Sequence, residues 1–330
     1  MQKTYTQLNL KEREALHYMI WDKIPIREMA RRLGRSPSTI SREIKRNTPE
    51  HRRVYMSHLA QSRYEERKRI VRERPRLKNQ KIVDYVEKQL KDDWSPEQIA
   101  GRWNKTHKKN TISHEAIYQY IYSKTKPGAD GDLRIYLRRK HKRRNRKNVP
   151  FKTAKTTIPN RVSIELRPTE IEDRKEIGHW EGDSVVSRKS TASLNTLVER
   201  KTRLVRITKL NRKTAIETNR AVINALGTYP KKFRQTLTMD NGTENSGHQE
   251  MTNKINISCY FANPYHSWER GTNENTNGLI RYYFPKGTDF AMVSEEDIQR
   301  VENILNNRPR KSLNYLTPNE AFRRGVAVTC

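Results

Sequence analysis

The chain has 330 residues, of which 68 are Lys or Arg and 37 are Asp or Glu, so its formal net charge is +31. Such a charge attracts polyanions, and the composition therefore favours nucleic acid over a neutral partner. Because it has only two cysteines and no run of 18 apolar residues, we exclude a disulfide framework, a Cys-rich zinc site and a membrane-spanning helix, and we expect a cytoplasmic protein.

The first predicted elements are three helices. Apolar residues recur at helical spacing within residues 10–23, a short helix over 26–33 ends at Gly34, and a third helix runs from Ser36 to Asn47. This is the helix-turn-helix arrangement, so we expect residues 1–50 to bind DNA. The side chains expected in the major groove are Ser38, Thr39, Ser41, Arg42 and Lys45. The alternative is an ordinary three-helix bundle with a charged face.

A second group of three helices is predicted further along the chain. Residues 51–80 form a basic helical connector, and residues 81–125 contain the second group, in which Ser95 starts a capping-box pattern and Ser113 precedes the last helix. We expect a second helix-turn-helix-like DNA-binding domain, with His114 among the contacts. The alternative is a helical bundle that contacts protein.

Residues 126–160 are predicted to be a basic linker. Residues 133–164 contain no acid, and eight of the ten residues 138–147 are Lys or Arg. Like charges at this density repel each other until DNA neutralises them, so we expect the linker to follow DNA rather than to be only a solvated segment. Its expected contacts are Arg138, Arg139, Arg143 and Arg144.

From residue 161 to residue 330 the pattern changes to strands and helices. The predicted strands cover 184–186, 194–198, 204–207, 236–239 and 257–261, and the predicted helices cover 213–227, 267–284 and 294–307. The order of strands and helices indicates a mixed sheet covered by helices, which is the ribonuclease-H-like arrangement. The sequence thus predicts a multidomain protein, with all-α units followed by an α/β domain.

Three acids in this last domain form a candidate catalytic site. Asp183 and Asp240 are each associated with a predicted strand, and Glu274 is in a predicted helix. Three carboxylates brought together in this way can hold two Mg²⁺ ions, and two such ions can activate a phosphodiester bond. We therefore expect Asp183, Asp240 and Glu274 to be both the metal ligands and the catalytic residues.

Other charged residues lie close to these acids in the sequence. Glu181 is two residues from Asp183 on the same strand face, and we leave open whether it joins the metal site. Glu269 is five residues before Glu274, which is about 140° of rotation on a helix, so both cannot face the ions. Glu244 is a further nearby acid. Arg270 and Arg281 are expected to grip DNA phosphate beside the metals.

Several motifs resemble the bacterial transposases of the insertion-sequence-30 family. The matching segments are Ser38–Glu43, Gly178–Asp183, Met239–Glu244, Pro264–Arg281, Tyr283–Phe290 and Asn306–Lys311. The resemblance runs nearly end to end. It implies a retroviral-integrase-like catalytic core with an Asp-Asp-Glu triad, for which Asp183, Asp240 and Glu274 are all present.

The resemblance also implies cofactors, partners and an activity. These are Mg²⁺ or Mn²⁺, two ions per active site, terminal inverted repeats as the substrate, and insertion into target DNA. The expected partners are double-stranded DNA and at least one further copy of the chain, in the cytoplasm of a bacterium and associated with its nucleoid. Two alternatives stay open: a nuclease without strand transfer, and a catalytically idle DNA-binding regulator derived from a transposon.

Overall fold

The computed structural model describes residues 6–48, 54–77, 79–124, 128, 131–137, 158–264 and 266–329. The chain divides into two compact units, Met1–Arg76 and Leu77–Cys330. No helix in the described ranges is long and apolar enough to cross a membrane. The linker residues Arg138, Arg139, Arg143 and Arg144 lie outside the described residues, so their expected contact with DNA stays a prediction.

The described part of the first unit is helical. Its helices are α1 (Leu10–Trp21), α2 (Ile26–Arg32), α3 (Pro37–Asn47) and α4 (Ser57–Glu73). The turn between α2 and α3 contains Gly34 with φ +60°, a left-handed conformation that glycine adopts without strain. Ser36 caps α3 by accepting a hydrogen bond from the backbone of Thr39 at 3.2 Å. The predicted helix-turn-helix is confirmed.

A buried ion pair holds α3 in this unit. The Arg13 Nε in α1 lies 2.7 Å from the Glu43 Oε1 in α3, and both side chains are almost completely buried. Arg13 also donates to the Gln61 Oε1 in α4 at 2.6 Å, and its guanidinium lies 4.8 Å from the centre of the Tyr64 ring. Because a buried charge is costly without partners, these contacts specify how α1, α3 and α4 pack together.

The second unit begins with three helices and ends in a mixed α/β domain. The helices are α5 (Gln80–Lys91), α6 (Pro96–Thr106) and α7 (His114–Lys124). Ser95 and Gln98 form the predicted capping box at the start of α6, since each side chain binds the backbone N–H of the other residue. The apolar side chains of α5, α6 and α7 meet in one buried cluster that includes Val86, Ile99 and Ile117.

One five-stranded sheet forms the centre of the α/β domain. Its strands are β1 (His179–Val186), β2 (Ser193–Glu199), β3 (Val205–Leu210), β4 (Thr236–Met239) and β5 (Ser258–Phe261). They lie in the order β3-β2-β1-β4-β5. Strands β1, β2 and β3 are antiparallel, whereas β4 and β5 run parallel to β1. This strand order is ribonuclease-H-like, and the predicted fold class is confirmed.

Helices cover both faces of the sheet. They are α8 (Ala215–Gly227), α9 (His248–Ile255), α10 (Gly271–Tyr283), α11 (Glu295–Asn306) and α12 (Pro318–Thr329). On one face Trp180 is fully buried among side chains of α8 and α9, and on the other face Val185 packs with α10 and α11. Because side chains alternate along a strand, Glu181 and Asp183 share the α10 side of β1 with Val185.

Candidate active site

Asp183 lies in β1, and Asp240 directly follows the end of the neighbouring strand β4. The parallel pairing of β1 with β4 ends with Glu181 opposite Thr238, and each aspartate follows two residues later in its own segment. The Oδ1 of Asp183 accepts the Ser184 N–H at 2.8 Å, and the Oδ1 of Asp240 accepts the Asn245 side chain at 2.8 Å. Hydrogen bonds thus hold both carboxylates in place.

The two aspartates share the guanidinium of Arg270. Its Nη1 lies 3.5 Å from the Asp183 Oδ1, and its Nη2 lies 3.8 Å from the Asp240 Oδ2. Arg270 also donates to the carbonyl of Gly182 at 3.3 Å. Burial raises the pKa of Asp183, and the Asp240 charge adds to this, whereas the positive charge of Arg270 opposes it. The two neighbouring carboxylates therefore share one cation, which balances only one of their two negative charges.

Glu274 occupies the first turn of α10 and is exposed. Three residues later Asn277 donates to the Asp183 Oδ2 at 2.9 Å. Residues three apart are neighbours on a helix surface, so Glu274 lies beside the residue that contacts Asp183. No group of three or more His, Cys, Asp or Glu side chains converges as a metal site in the described ranges. The structure thus brings two of the predicted ligands together and leaves Glu274 on the adjacent exposed surface.

Glu181 has contacts that differ from those of Asp183. Its side chain is fully buried, its Oε2 accepts the backbone N–H of Asn273 at 2.9 Å, and its Oε1 lies 3.2 Å from the Arg200 Nε. The side chain of Asn273 in turn donates to the carbonyl oxygens of Glu181 and Thr196 at 2.9 and 3.1 Å. These bonds attach the first turn of α10 to β1 and β2, which gives Glu181 a structural role here.

The other nearby acids also have structural partners. Glu269 accepts the Asn263 backbone N–H at 2.8 Å and lies 3.1 Å from the His266 Nδ1, and Glu244 is buried with the Lys213 Nζ at 2.7 Å. Glu269 lies in a separate 3₁₀ turn, Ser267–Arg270, whereas α10 begins at Gly271. The prediction of one continuous helix over 267–284 is therefore wrong at its start, and the rotation calculated between Glu269 and Glu274 does not apply.

The predicted DNA contacts differ in their exposure. Ser38, Ser41, Arg42 and Lys45 are exposed on α3, while Thr39 is half-buried, with its hydroxyl 2.8 Å from that of Ser36. His114 is exposed at the start of α7. Arg281 donates to the Val186 carbonyl at 2.7 Å and lies over the Phe290 ring at 5.5 Å, and its partial burial lowers its pKa. Their contact with DNA stays a prediction.

Sequence reasoning missed the two asparagines of α10, Asn273 and Asn277. The hydroxyl of Thr196 in β2 contacts the side-chain oxygens of both, at 3.1 and 3.0 Å. Their separation of four residues was an available signal, since residues at i and i+4 share one face of a helix. An amide pair on the buried face of an otherwise amphipathic helix indicates polar partners on the sheet below it.

Comparison with known proteins finds similarity to transposases of insertion sequences. Residues 4–47 match the family model of a helix-turn-helix domain. The chain is 40% identical to the transposase for insertion sequence element IS4351 of Bacteroides fragilis, across 95% of this chain and 94% of that protein. It is 38% identical to the transposase InsI for insertion sequence element IS30A of Escherichia coli, across 99% of this chain and 86% of that protein. For the transposase of insertion sequence element IS1086 of Cupriavidus metallidurans, the identity is 34%, with coverage of 98% and 96%.

A solved structure also resembles part of the chain. The catalytic core domain of BIV integrase matches 46% of this chain and 97% of its own length, at 18% identity and a TM-score of 0.37. The strand order described above, rather than this similarity, establishes the fold.

Proposed function

The chain belongs to the insertion-sequence-30 family of transposases, and from this premise we propose that it cuts the terminal inverted repeats of its own insertion sequence and joins them to target DNA. The proposal depends on one observation: the carboxylates of Asp183 and Asp240 both lie near the guanidinium of Arg270. Two adjacent carboxylates that converge on a single positive charge form a suitable cradle for a divalent cation.

The side chains at this site are suitable ligands for Mg²⁺ or Mn²⁺. Both ions favour oxygen ligands, and the carboxylates of Asp183 and Asp240 are only partly buried, with 24% and 33% of their side chains exposed. Glu274 would supply the third carboxylate from the adjacent turn of α10. When bound, two such ions would lower the barrier to attack on a phosphodiester by polarising the reacting oxygens.

The remaining steps are assigned to residues of this chain. The helix-turn-helix unit, through Ser38, Thr39, Ser41, Arg42 and Lys45, would bind the end DNA. Arg270 would hold a phosphate beside the carboxylates, since a guanidinium forms paired hydrogen bonds with phosphate oxygens. Water would be the nucleophile for strand cleavage, and the freed 3′-hydroxyl would then attack target DNA. Because two ends have to meet, the active assembly would contain at least two copies of the chain.

Substitution of Asp183 tests this proposal. We expect Asp183→Asn to abolish metal-dependent cleavage and joining of a duplex that carries the terminal repeat, while binding of that duplex in a gel-shift assay is retained. Asp173→Asn is a matched control, because Asp173 is an exposed acid that pairs with Lys175 at 2.7 Å. It is expected to leave both reactions unchanged.

Two results would contradict the proposed function. Metal-dependent cleavage by the Asp183→Asn variant would remove Asp183 from the site. Cleavage by the wild-type chain without any joining to target DNA would instead identify a nuclease.

A further inference from the structure

A hairpin after α11 docks on α6 within the second unit. Residues 310–317 form this hairpin, in which the Arg310 N–H binds the Leu316 carbonyl at 3.0 Å. Arg102 in α6 donates to the Tyr315 carbonyl of the hairpin at 3.1 Å. It also makes two bonds, at 2.5 and 2.9 Å, to the carboxylate of Glu320, which lies in the first turn of α12 directly after the hairpin. Paired guanidinium–carboxylate bonds fix orientation as well as distance, so the hairpin has a defined position on the helix.

The contact also depends on the shape of α6. A Cβ atom at Gly101 would lie 2.2 Å from the Tyr315 ring, so the ring lies directly on the backbone of the helix. Asn314 and Tyr315 themselves have φ values of 49° and 57°, in the left-handed region that side chains rarely adopt. The hairpin is strained, and it rests on a glycine in the middle of α6. Docking on the helix, rather than local conformational preference, therefore determines the backbone conformation of the hairpin.

Lysines from the helical side and from the hairpin line the open groove beside this contact. The groove measures about 690 Å³, and its lining includes Lys105, Lys108 and His114 from the helical side and Lys311 from the hairpin. Its one lining acid, among the described residues, is Glu97, which pairs with the Lys311 Nζ at 2.7 Å. The positive charge of the groove therefore exceeds its negative charge, as binding of a polyanion requires.

The turn that carries Lys108 is held rigidly. The side-chain amide of Asn104 donates to the Ile112 carbonyl at 2.8 Å and accepts the Ile112 N–H at 2.8 Å. The Trp103 ring N–H binds the Asn110 carbonyl at 2.6 Å. Because the backbone between α6 and α7 is fixed in this way, Lys108 projects from a preorganised turn, which reduces the entropy lost on binding.

We propose that this groove binds the phosphate backbone of duplex DNA, and that the hairpin 310–317 and the helices α6 and α7 act as one DNA-binding element. Lysine is a point charge on a flexible stem, so it suits sequence-independent phosphate contact better than base recognition. The inference rests on the proposed function and extends it, because it assigns part of the DNA-binding surface to the C-terminal region of the catalytic domain.

The first test measures DNA affinity against salt concentration. The full chain is titrated with the terminal-repeat duplex and with an unrelated duplex, in buffer without divalent metal so that neither is cut. Lys108→Gln and Lys311→Gln are expected to weaken binding of both duplexes, and each to make the slope of log K against log salt shallower by about 0.9. Lys254→Gln is the matched control, since Lys254 is also exposed and pairs with a glutamate, Glu250, at 2.7 Å; it is expected to change neither quantity.

The second test asks whether the hairpin and α6 act together. Gly101→Ala displaces the Tyr315 ring, so Lys311→Gln is expected to have no further effect on affinity in that background, while Lys108→Gln keeps its effect. If Gly101→Ala fails to fold, Arg102→Gln replaces it, since it removes the bonds to Glu320 and leaves the helix surface intact. If Lys311→Arg binds DNA as tightly as the wild-type chain, the positive charge at this position is what contacts the phosphate.

Two outcomes would overturn the inference. If the Lys108→Gln and Lys311→Gln variants both keep the wild-type affinity and salt slope, the groove does not bind DNA. If Lys311→Gln has its full effect in the Gly101→Ala or Arg102→Gln variant, the hairpin and α6 do not act together. Both are binding measurements, whereas the proposed function is judged by cleavage and joining, so the two ideas can fail separately.

Discussion

Glu181 and Asp183 show how two acids on one face of a strand acquire different roles. Glu181 is fully buried against Asn273 and Arg200, whereas 24% of the Asp183 side chain stays exposed next to Arg270. The sequence places both acids on the same face but does not show which one is covered. That difference comes from the docking of α10, a contact between residues that are far apart in the chain.

This difference predicts that substitutions of the two acids change stability by unequal amounts. Glu181→Ala removes the fully buried partner of Arg200 and leaves it with the exposed carboxylate of Glu172, 2.8 Å from its Nη2. Removal of one member of a buried ion pair costs about 3 kcal/mol. The midpoint of thermal unfolding should then fall by roughly 6–12 °C. Asp183→Asn keeps the shape of its side chain and should shift the midpoint little. Calorimetry in metal-free buffer compares the two variants, and a small effect of Glu181→Ala would contradict the structural role.

At the level of elements, local pattern predicted the strands well. The expected strand 236–239 coincides with β4, and 194–198 lies within β2. Alternation and β-branched residues are local signals, so they suffice for these strands. The start of α10 was not predicted, because the break before Gly271 arises where Arg270 turns toward two aspartates that are distant from it in the sequence. No local residue preference encodes that contact.

Helix α12 was missed although the sequence carries a signal for it. Thr317 and Glu320 form a capping box, in which the Glu320 N–H binds the Thr317 hydroxyl at 3.2 Å and the Thr317 N–H binds the Glu320 carboxylate at 2.9 Å. Pro318 suits the first helical position. The spacing of these residues alone was enough to predict the helix, but not that Glu320 would also bind Arg102.

Helix α10 should influence the reaction through Asn277 as well as Glu274. Asn277 contacts the Asp183 Oδ2 and the Thr196 hydroxyl, so it orients the carboxylate without touching the reacting atoms. Loss of such a supporting hydrogen bond typically lowers metal affinity or activity 10–100-fold, so Asn277→Ala should reduce cleavage by about that factor. It should also raise the Mg²⁺ concentration needed for half-maximal cleavage, which a purely structural role would not change.

Asn275→Ala is the control for this prediction, because Asn275 is exposed on the same helix. A metal titration of the cleavage rate should be the same for this variant and for wild type. If both alanine variants behave alike, Asn277 does not position Asp183.

At the scale of the whole molecule, the order of the parts was predicted from composition and periodicity, but the extent of the first unit was not. The sequence suggested a DNA-binding domain over residues 1–50, followed by a connector. In the structure, one compact unit extends to Arg76 and includes α4. The reason is that α4 and the residues before it bury side chains against the helix-turn-helix, including Tyr55 at 2% exposure and Ala60 at 0%.

This packing predicts how fragments of the first unit behave. A fragment of residues 1–76 should fold and bind DNA, since it keeps Gln61 and Tyr64 around the buried Arg13–Glu43 pair. A fragment of residues 1–50 loses these partners and exposes both the charges and the apolar core, so it should show little cooperative unfolding by circular dichroism. Arg42→Gln in the longer fragment is the control for binding, because Arg42 is exposed and its loss should weaken DNA binding without changing the melting curve. Equal melting curves for the two fragments would show that α4 is a connector after all, because the helix-turn-helix would then be stable without the contacts that α4 provides.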